Sequence, residues 1–284
     1  LKAIGGRNAR KAVPEMLSLI ARAREEGLDV MCDAYPYTAG STQLIHVLPP
    51  EFQAGGTETL TKRLRDRAAR EEMRARMETG SDFENITLLV GFENVIAIGL
   101  RTDEYRRFEG KSVAKIAQTL QKDPFDTLFD LLAAEQCNTG MIDYISDEED
   151  LKAILRAPVS GVISDATYPG AGQVHPRVYG AFARLIETYV VREKVLTLEQ
   201  AVHKVTLQAA ERFSLAGKGK IEVGADADLL LFAPEKIRER GTYLTPKACA
   251  SGFDEVFVLG ERVIENGEYR GGSSGEMLGL RMEY

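Results

Sequence analysis

The chain has 284 residues, and its 36 Lys and Arg stand against 43 Asp and Glu for a formal net charge of −7. That length is enough for a large core in one domain or two, and the acidic balance speaks against nucleic-acid binding, which needs a basic face for phosphate. No apolar run approaches the roughly 20 residues of a membrane span, and no charged-then-apolar leader is present, so a cytoplasmic protein with no membrane partner is the expectation.

In chain order, residues 12–24 favour helix, with Met16, Leu17, Leu19 and Ile20 on one side and Gly27 closing it. Residues 28–34 read as a strand, residues 35–42 as the loop after it, and a helix is expected next, as in a βα unit. Residues 59–77 read as one solvated helix laced with i,i+4 ion pairs, and residues 86–90 as a short strand in an inserted subdomain. Asp123-Pro124 is a helix start, and Ser146 to Glu149 spells a capping box for a helix that must stop before Pro158. Residues 159–163 form a strand running into Asp165, and Thr197 to Gln200 spells a second capping box. After Gly217 the pattern becomes short strands (227–232, 255–259, 262–265) with Asn266-Gly267 as a turn, which places a domain boundary near 215.

The chemistry concentrates in Val162-Ile163-Ser164-Asp165 and His175-Pro176-Arg177. A carboxylate at the tip of a buried strand can take a proton from water and return it to a leaving amine, although an Asp there can equally cap the next turn. A guanidinium fork such as Arg177 can grip a carboxylate bidentately, or form an ordinary salt bridge. Cys32, Cys137 and Cys249 are odd in number and widely spaced, which argues against a disulfide framework and a zinc knuckle. His46, His175 and His203 form no HxH or HExxH pair, so the chain's own residues do not build the usual imidazole cluster around zinc. Asp226 and Asp228, two carboxylates one residue apart, read as turn caps at a strand entry.

These motifs, with residues 219–232 (Gly-Lys-Ile-Glu-Val-Gly-Ala-Asp-Ala-Asp-Leu-Leu-Leu-Phe) and the opening Leu1-Lys2-Ala3-Ile4-Gly5-Gly6-Arg7-Asn8, resemble the C-terminal half of the N-acyl-D-amino-acid deacylases, a group within the amidohydrolase superfamily. The resemblance covers essentially the whole chain, with its motifs in the expected order. It implies an α/β fold: the C-terminal portion of a (β/α)8 TIM-type metal-dependent hydrolase barrel over residues 1–215, with an insertion at about 55–120, then part of a small β-sandwich over 216–284. It implies that Asp165 is the catalytic base and a metal ligand, with the remaining ligands, among them a histidine, expected upstream of Leu1. It implies that Arg177, Lys2, Tyr35 and Ser41 hold the substrate α-carboxylate, with Tyr37 able to exchange roles with Tyr35. His175 is then a loop-shaping residue, His203 structural, and His46 a lining residue of the pocket. One departure is Ala166, where these deacylases usually carry Gly after the Asp, which restricts the turn. A deacylase for acidic amino acids is expected to place arginines near residues 43–50, and none stands there, which favours neutral or hydrophobic D-amino acids.

The function implied is metal-dependent hydrolysis of the amide of N-acyl-D-amino acids, with Zn2+ expected for the intact enzyme. The chain begins at Leu1, as a fragment or processed chain does, and no turnover or bound metal is expected of residues 1–284 alone. A missing N-terminal segment or a homo-oligomer partner is expected to cover the strand edges that an incomplete barrel leaves open. The alternatives are a cyclic-amide hydrolase of the dihydropyrimidinase or dihydroorotase kind, or a non-catalytic fragment acting as a structural or interaction module.

Overall fold

The structure is a computed structural model that describes residues 1–5, 12–167 and 172–278. Helix α1 (Ala12–Glu25) ends at Gly27, whose φ of 87° turns the chain out. Strand β1 follows (Cys32–Ala34), shorter than its apolar run, and pairs in parallel with a later strand. The segment expected to be all loop yields strand β2 (Ala39–Gln43), and the helix expected after it is two short 3-10 turns, Leu44–Val47 and Pro50–Gln53.

Residues 59–77 divide into α2 (Gly56–Arg63) and α3 (Arg67–Thr79). The break falls where the Asp66 side chain accepts the Ala69 N–H and caps the second helix. The expected strand at 86–90 is instead helix α4 (Ile86–Val90), because Asn85 caps it by accepting the Leu88 N–H and Gly91 ends it at a φ of 80°. A five-residue apolar run has no periodicity to distinguish strand from helix, so the caps decided.

Strands β3 (Val95–Ile98) and β4 (Lys111–Ser112), helix α5 (Val113–Leu120), helix α6 (Pro124–Ala134) and strand β5 (Gly140–Tyr144) complete the first half. Asp123 caps α6 by accepting from Phe125 and Asp126, with Pro124 at the first position, as the sequence spells. Four of these strands form an antiparallel sheet in the order β2-β5-β3-β4. Against it Leu44, Leu60, Met73, Ile116, Phe129 and Met141 are fully buried, each contributing about 1.5–3 kcal/mol by removal from water.

Helix α7 (Glu148–Arg156) is capped by Asp147, which accepts the Glu149 N–H, rather than by Ser146. The Ser146 hydroxyl is engaged elsewhere, donating to the Ala3 carbonyl at 3.3 Å. Strand β6 (Ser160–Val162) then pairs with β1 in parallel, Asp33 opposite Gly161. Helix α8 (Arg177–Arg184) continues into a π-helical segment, Leu185–Arg192, and α9 (Leu198–Val205) opens with the Thr197–Gln200 capping box formed in both directions. Helix α10 (Leu207–Arg212) leads to four strands: β7 (Leu229–Phe232), β8 (Phe253–Val258), β9 (Glu261–Glu265) and β10 (Glu268–Tyr269). They form an antiparallel meander, turned between the last two by Asn266 and Gly267 at φ 53° and 77°. Among the described residues, no helix is long and apolar enough to cross a membrane.

Candidate active site

The parallel pair β1 and β6 sets the site. The Ile163 N–H donates to the Ala34 carbonyl at 3.0 Å, so both strands end level. Tyr35 leaves the tip of β1, and Asp165 stands three residues beyond β6. The Leu1 nitrogen donates to the Asp33 carbonyl, and the Gly5 N–H donates to the Ile145 carbonyl at 2.9 Å, which lays residues 1–5 across the same end. Parallel strands of α/β folds present functional groups at this carboxyl end.

Asp165 adopts a φ of 50°, the left-handed region that a non-glycine residue enters only when its surroundings hold it there. Its Oδ2 lies 2.9 Å from Arg177 Nη1 and 3.3 Å from Lys2 Nζ. Arg177 is the first residue of α8 and only 2% exposed, whereas Asp165 is 36% exposed and open to solvent on one side. Nη2 of Arg177 donates to the Ser41 carbonyl at 3.2 Å. Nη1 sits off the hydrogen-bond line to Asp165, and both Nη1 and Nε are buried without an acceptor. Tyr35 is buried beside both cations, its ring centroid 4.8 Å from the Arg177 guanidinium and 4.8 Å from Lys2 Nζ. Burial pushes the Tyr35 phenol well above its ordinary pKa, with Arg177 pulling the other way, so it stays protonated.

Asp165, Arg177, Lys2, Tyr35 and Ser41, chosen from four separate stretches of sequence, therefore meet in one place. Ser41 does so through its backbone carbonyl as well as by lining the adjoining cavity. The Gly6-Arg7-Asn8 part of the opening motif and residues 168–171 of the loop after Asp165 lie outside the described residues.

His175 is buried among aromatic edges, with ring centroids 4.9 Å from Tyr37 and 5.2 Å from Tyr243. The Arg177 N–H donates to its Nδ1 at 3.0 Å, which forces the proton onto Nε2, and Nε2 faces the Ala39 carbonyl at 3.0 Å. Burial first, then the Arg177 charge, pushes its pKa down to about 3, so the ring is neutral. His175 thus ties α8 to β2 and aims Arg177. His203 lies within α9, away from these groups, and Asp226 and Asp228 both pair with Lys218, at 3.0 and 2.6 Å.

Three features were not legible as functional in the sequence. Arg184 donates to the Pro36 carbonyl at 2.6 Å and pairs with Glu239 at 3.1 Å, while the Tyr37 hydroxyl donates to Glu239 at 2.6 Å, so the turn that carries Tyr35 is clamped. Glu109 accepts the N–H groups of Gly99, Leu100 and Gln173, and fastens the loop before His175 to the residues after β3. Asp143, in the central strand β5, is 3% exposed, and its Oδ1 has no hydrogen-bond partner. Burial is the main cause that pushes its pKa up to about 6. The one signal for Asp143 was a lone charge inside the apolar run Met141-Ile142-Asp143.

Among the described residues, no group of three or more His, Cys, Asp or Glu side chains is placed to hold a metal ion. Asp165 has the chemistry and exposure of a ligand: a carboxylate at a strand tip, accessible from one side. It fits a metal as one donor of several.

The model of the amidohydrolase family matches residues 9–245. An N-acyl-D-glutamate deacylase of Alcaligenes xylosoxydans xylosoxydans is 30% identical over 244 residues, 86% of this chain and 40% of that protein. The crystal structure of a D-aminoacylase superposes with a TM-score of 0.70 at 26% identity, over 95% of this chain and 47% of that one. The N-acyl-D-glutamate deacylase of Bordetella bronchiseptica, solved with zinc and a phosphonate inhibitor that mimics the tetrahedral intermediate, superposes with a TM-score of 0.65 at 28% identity, over 88% of this chain and 43% of that one. The chain spans less than half the length of each of these three proteins. On the family match and the mixed α/β structure together, the chain belongs to the amidohydrolase family.

Proposed function

We propose that the protein hydrolyses the amide bond of N-acyl-D-amino acids, giving a carboxylate and a free D-amino acid. One observation carries this reading: a buried Arg177, 2.9 Å from an accessible Asp165 and with its Nε lacking an acceptor, stands beside Lys2 at the end of a parallel strand pair. The buried Arg177 guanidinium, with its Nε lacking an acceptor, supplies charge-assisted donors for an α-carboxylate. Lys2 adds a second positive charge, and the backbone at Ser41 and the ring of Tyr35 hold the two cations in place. The substrate amide then falls next to Asp165, which takes the proton of the attacking water and returns it to the departing nitrogen. Zinc, held by Asp165 together with donors from outside the described residues, supplies Lewis-acid polarisation of the acyl carbonyl and acidifies water when bound. The D configuration rests on the names of the similar proteins.

Within this reading, residues 1–215 are the C-terminal portion of a (β/α)8 barrel with an insertion at about 55–120, supported by the parallel β1 and β6 and the functional groups at their ends. Residues 216–284 contribute part of a β-sandwich: Leu229 and Leu231 on one face of β7 and Leu230 on the other are exposed, apolar surface that another segment or a second copy would cover. A cytoplasmic location accords with the free Cys32, Cys137 and Cys249.

The test is turnover by the protein at its native full length, supplied with zinc, on N-acetyl-D-methionine, N-acetyl-D-lysine and a hydantoin. Hydrolysis of the linear amides without the hydantoin is expected. Hydantoin opening alone would replace the reading with a cyclic-amide hydrolase.

A further inference from the structure

Beside the Arg177 site lies an open cavity of about 480 Å3, lined by Lys2, Gly40, Ser41, His46, Glu84 and Asp143 with apolar residues between them. Its volume is in the range of small-molecule sites, with room for an amino-acid side chain. Lys2 and Ser41 belong to both the cavity and the carboxylate site, so a substrate held there by its α-carboxylate has this space next to it.

The polar character of the wall is acidic. Asp143 sits in the middle of the sheet, opposite Gly40 of β2 and Val95 of β3. A Cβ at position 40 would lie 2.6 Å from Asp143 Oδ1, so glycine there leaves room for the carboxylate. Buried carboxylates are normally paired or richly hydrogen-bonded, because desolvation of an unpaired charge is costly. Asp143 Oδ1 has no such partner. Glu84 adds a second carboxylate at the exposed part of the wall, and Lys2, the ammonium among the described lining residues, pairs with Asp165 while also acting on Asp143. Among the described residues, no arginine lines the cavity.

We propose that this cavity is the side-chain subsite of the enzyme, that it selects D-amino acids with a cationic side chain, and that Asp143 is the specificity-determining residue. This inference rests on the deacylase reading and departs from the sequence expectation of neutral or hydrophobic side chains: the absence of arginine among the described lining residues still disfavours acidic side chains, but Asp143 with Glu84 favours basic ones over neutral ones. An ammonium or guanidinium reaching Asp143 satisfies the buried Oδ1, whereas an apolar side chain leaves it unpaired.

The experiment compares kcat/KM for N-acetyl-D-lysine, its neutral analogue without the ammonium, N-acetyl-D-norleucine, and N-acetyl-D-glutamate, using the full-length zinc-loaded protein. The lysine derivative is expected to exceed the norleucine derivative by about tenfold or more, with the glutamate derivative lowest. Asp143→Asn is expected to bring the lysine-to-norleucine ratio to within about twofold of unity. Should that variant fail to fold, Glu84→Gln at the exposed wall reads the same ratio, with a fall of roughly threefold expected and an unchanged ratio contradicting the charge-based selection. A norleucine derivative turned over as well as the lysine derivative by the parent protein overturns the subsite assignment and leaves the deacylase reading intact. Failure to turn over any N-acyl-D-amino acid overturns the deacylase reading instead. Calorimetric titration with free D-lysine and D-norleucine then decides the subsite: a lysine preference lost in Asp143→Asn supports it, and equal binding of the two overturns it.

Discussion

Asp165 and Asp143 both lie near Lys2, yet the fold treats them in opposite ways. Asp165 is half open to solvent at the tip of a parallel strand pair, faces two cations, and is held in a left-handed backbone conformation. Asp143 is buried in the middle of an antiparallel sheet where it lines the cavity wall, and its Oδ1 touches no donor. The first arrangement leaves a carboxylate reachable beside two cations, which suits proton transfer. The second keeps a carboxylate short of partners until a ligand brings one, which suits selection. The contrast separates chemistry, on the parallel pair, from specificity, on the antiparallel sheet.

Stability against pH gives the largest expected effect on that contrast. Burial raises the Asp143 pKa to about 6 from an ordinary value of 3.8, so the folded protein binds a proton more tightly than the unfolded chain does. The penalty is absent below the unfolded value, grows by about 1.4 kcal/mol per pH unit between the two values, and is complete above the folded one. Asp143→Asn is therefore expected to match the parent near pH 4 and to exceed it by about 3 kcal/mol at pH 8, read from denaturant midpoints in the absence of ligand. Equal stability at both pH values would mean that Asp143 is not the buried, unpaired group described above.

Arg177 bears on the other side of the comparison. Its replacement by Met is expected to raise KM by roughly 30-fold, about 2 kcal/mol, because the substrate carboxylate loses its fork. Arg177→Lys recovers only part of this, since an ammonium restores charge without the paired donors. An unchanged KM in Arg177→Met would detach Arg177 from the substrate and leave it as the structural partner of Asp165 alone.

The two regions also differ in how far they could be read from sequence. Asp165 stood out because an apolar run of strand length ends in a lone acid, and Arg177 because His-Pro-Arg follows it closely, but the roles assigned to both came from the resemblance to the deacylases and not from spacing. The capping residues Asp123 and Thr197 announced their helices in the same local way. The antiparallel sheet announced nothing comparable. Strand β2 is Ala-Gly-Ser-Thr-Gln, without an apolar residue larger than alanine, and it forms only because β5, far along the chain, supplies the partner. The role of Asp143 depends on that pairing, which sets it opposite Gly40. At residues 86–90 the local signal pointed to strand, and the Asn85 cap with Gly91 overrode it. His175 was read as loop-shaping, and its two ring contacts, to Ala39 and to the Arg177 backbone, give that role a definite form.

The most direct test of the division between chemistry and specificity is kcat of Asp165→Asn on an N-acetyl-D-amino acid, measured in the full-length protein with zinc content determined on the same sample. We expect kcat to fall by about 10³-fold, because the amide oxygen and nitrogen that replace the carboxylate can neither accept the water proton nor return it. A variant that folds and retains kcat within about tenfold of the parent would contradict the assignment of Asp165 as the proton-transferring group.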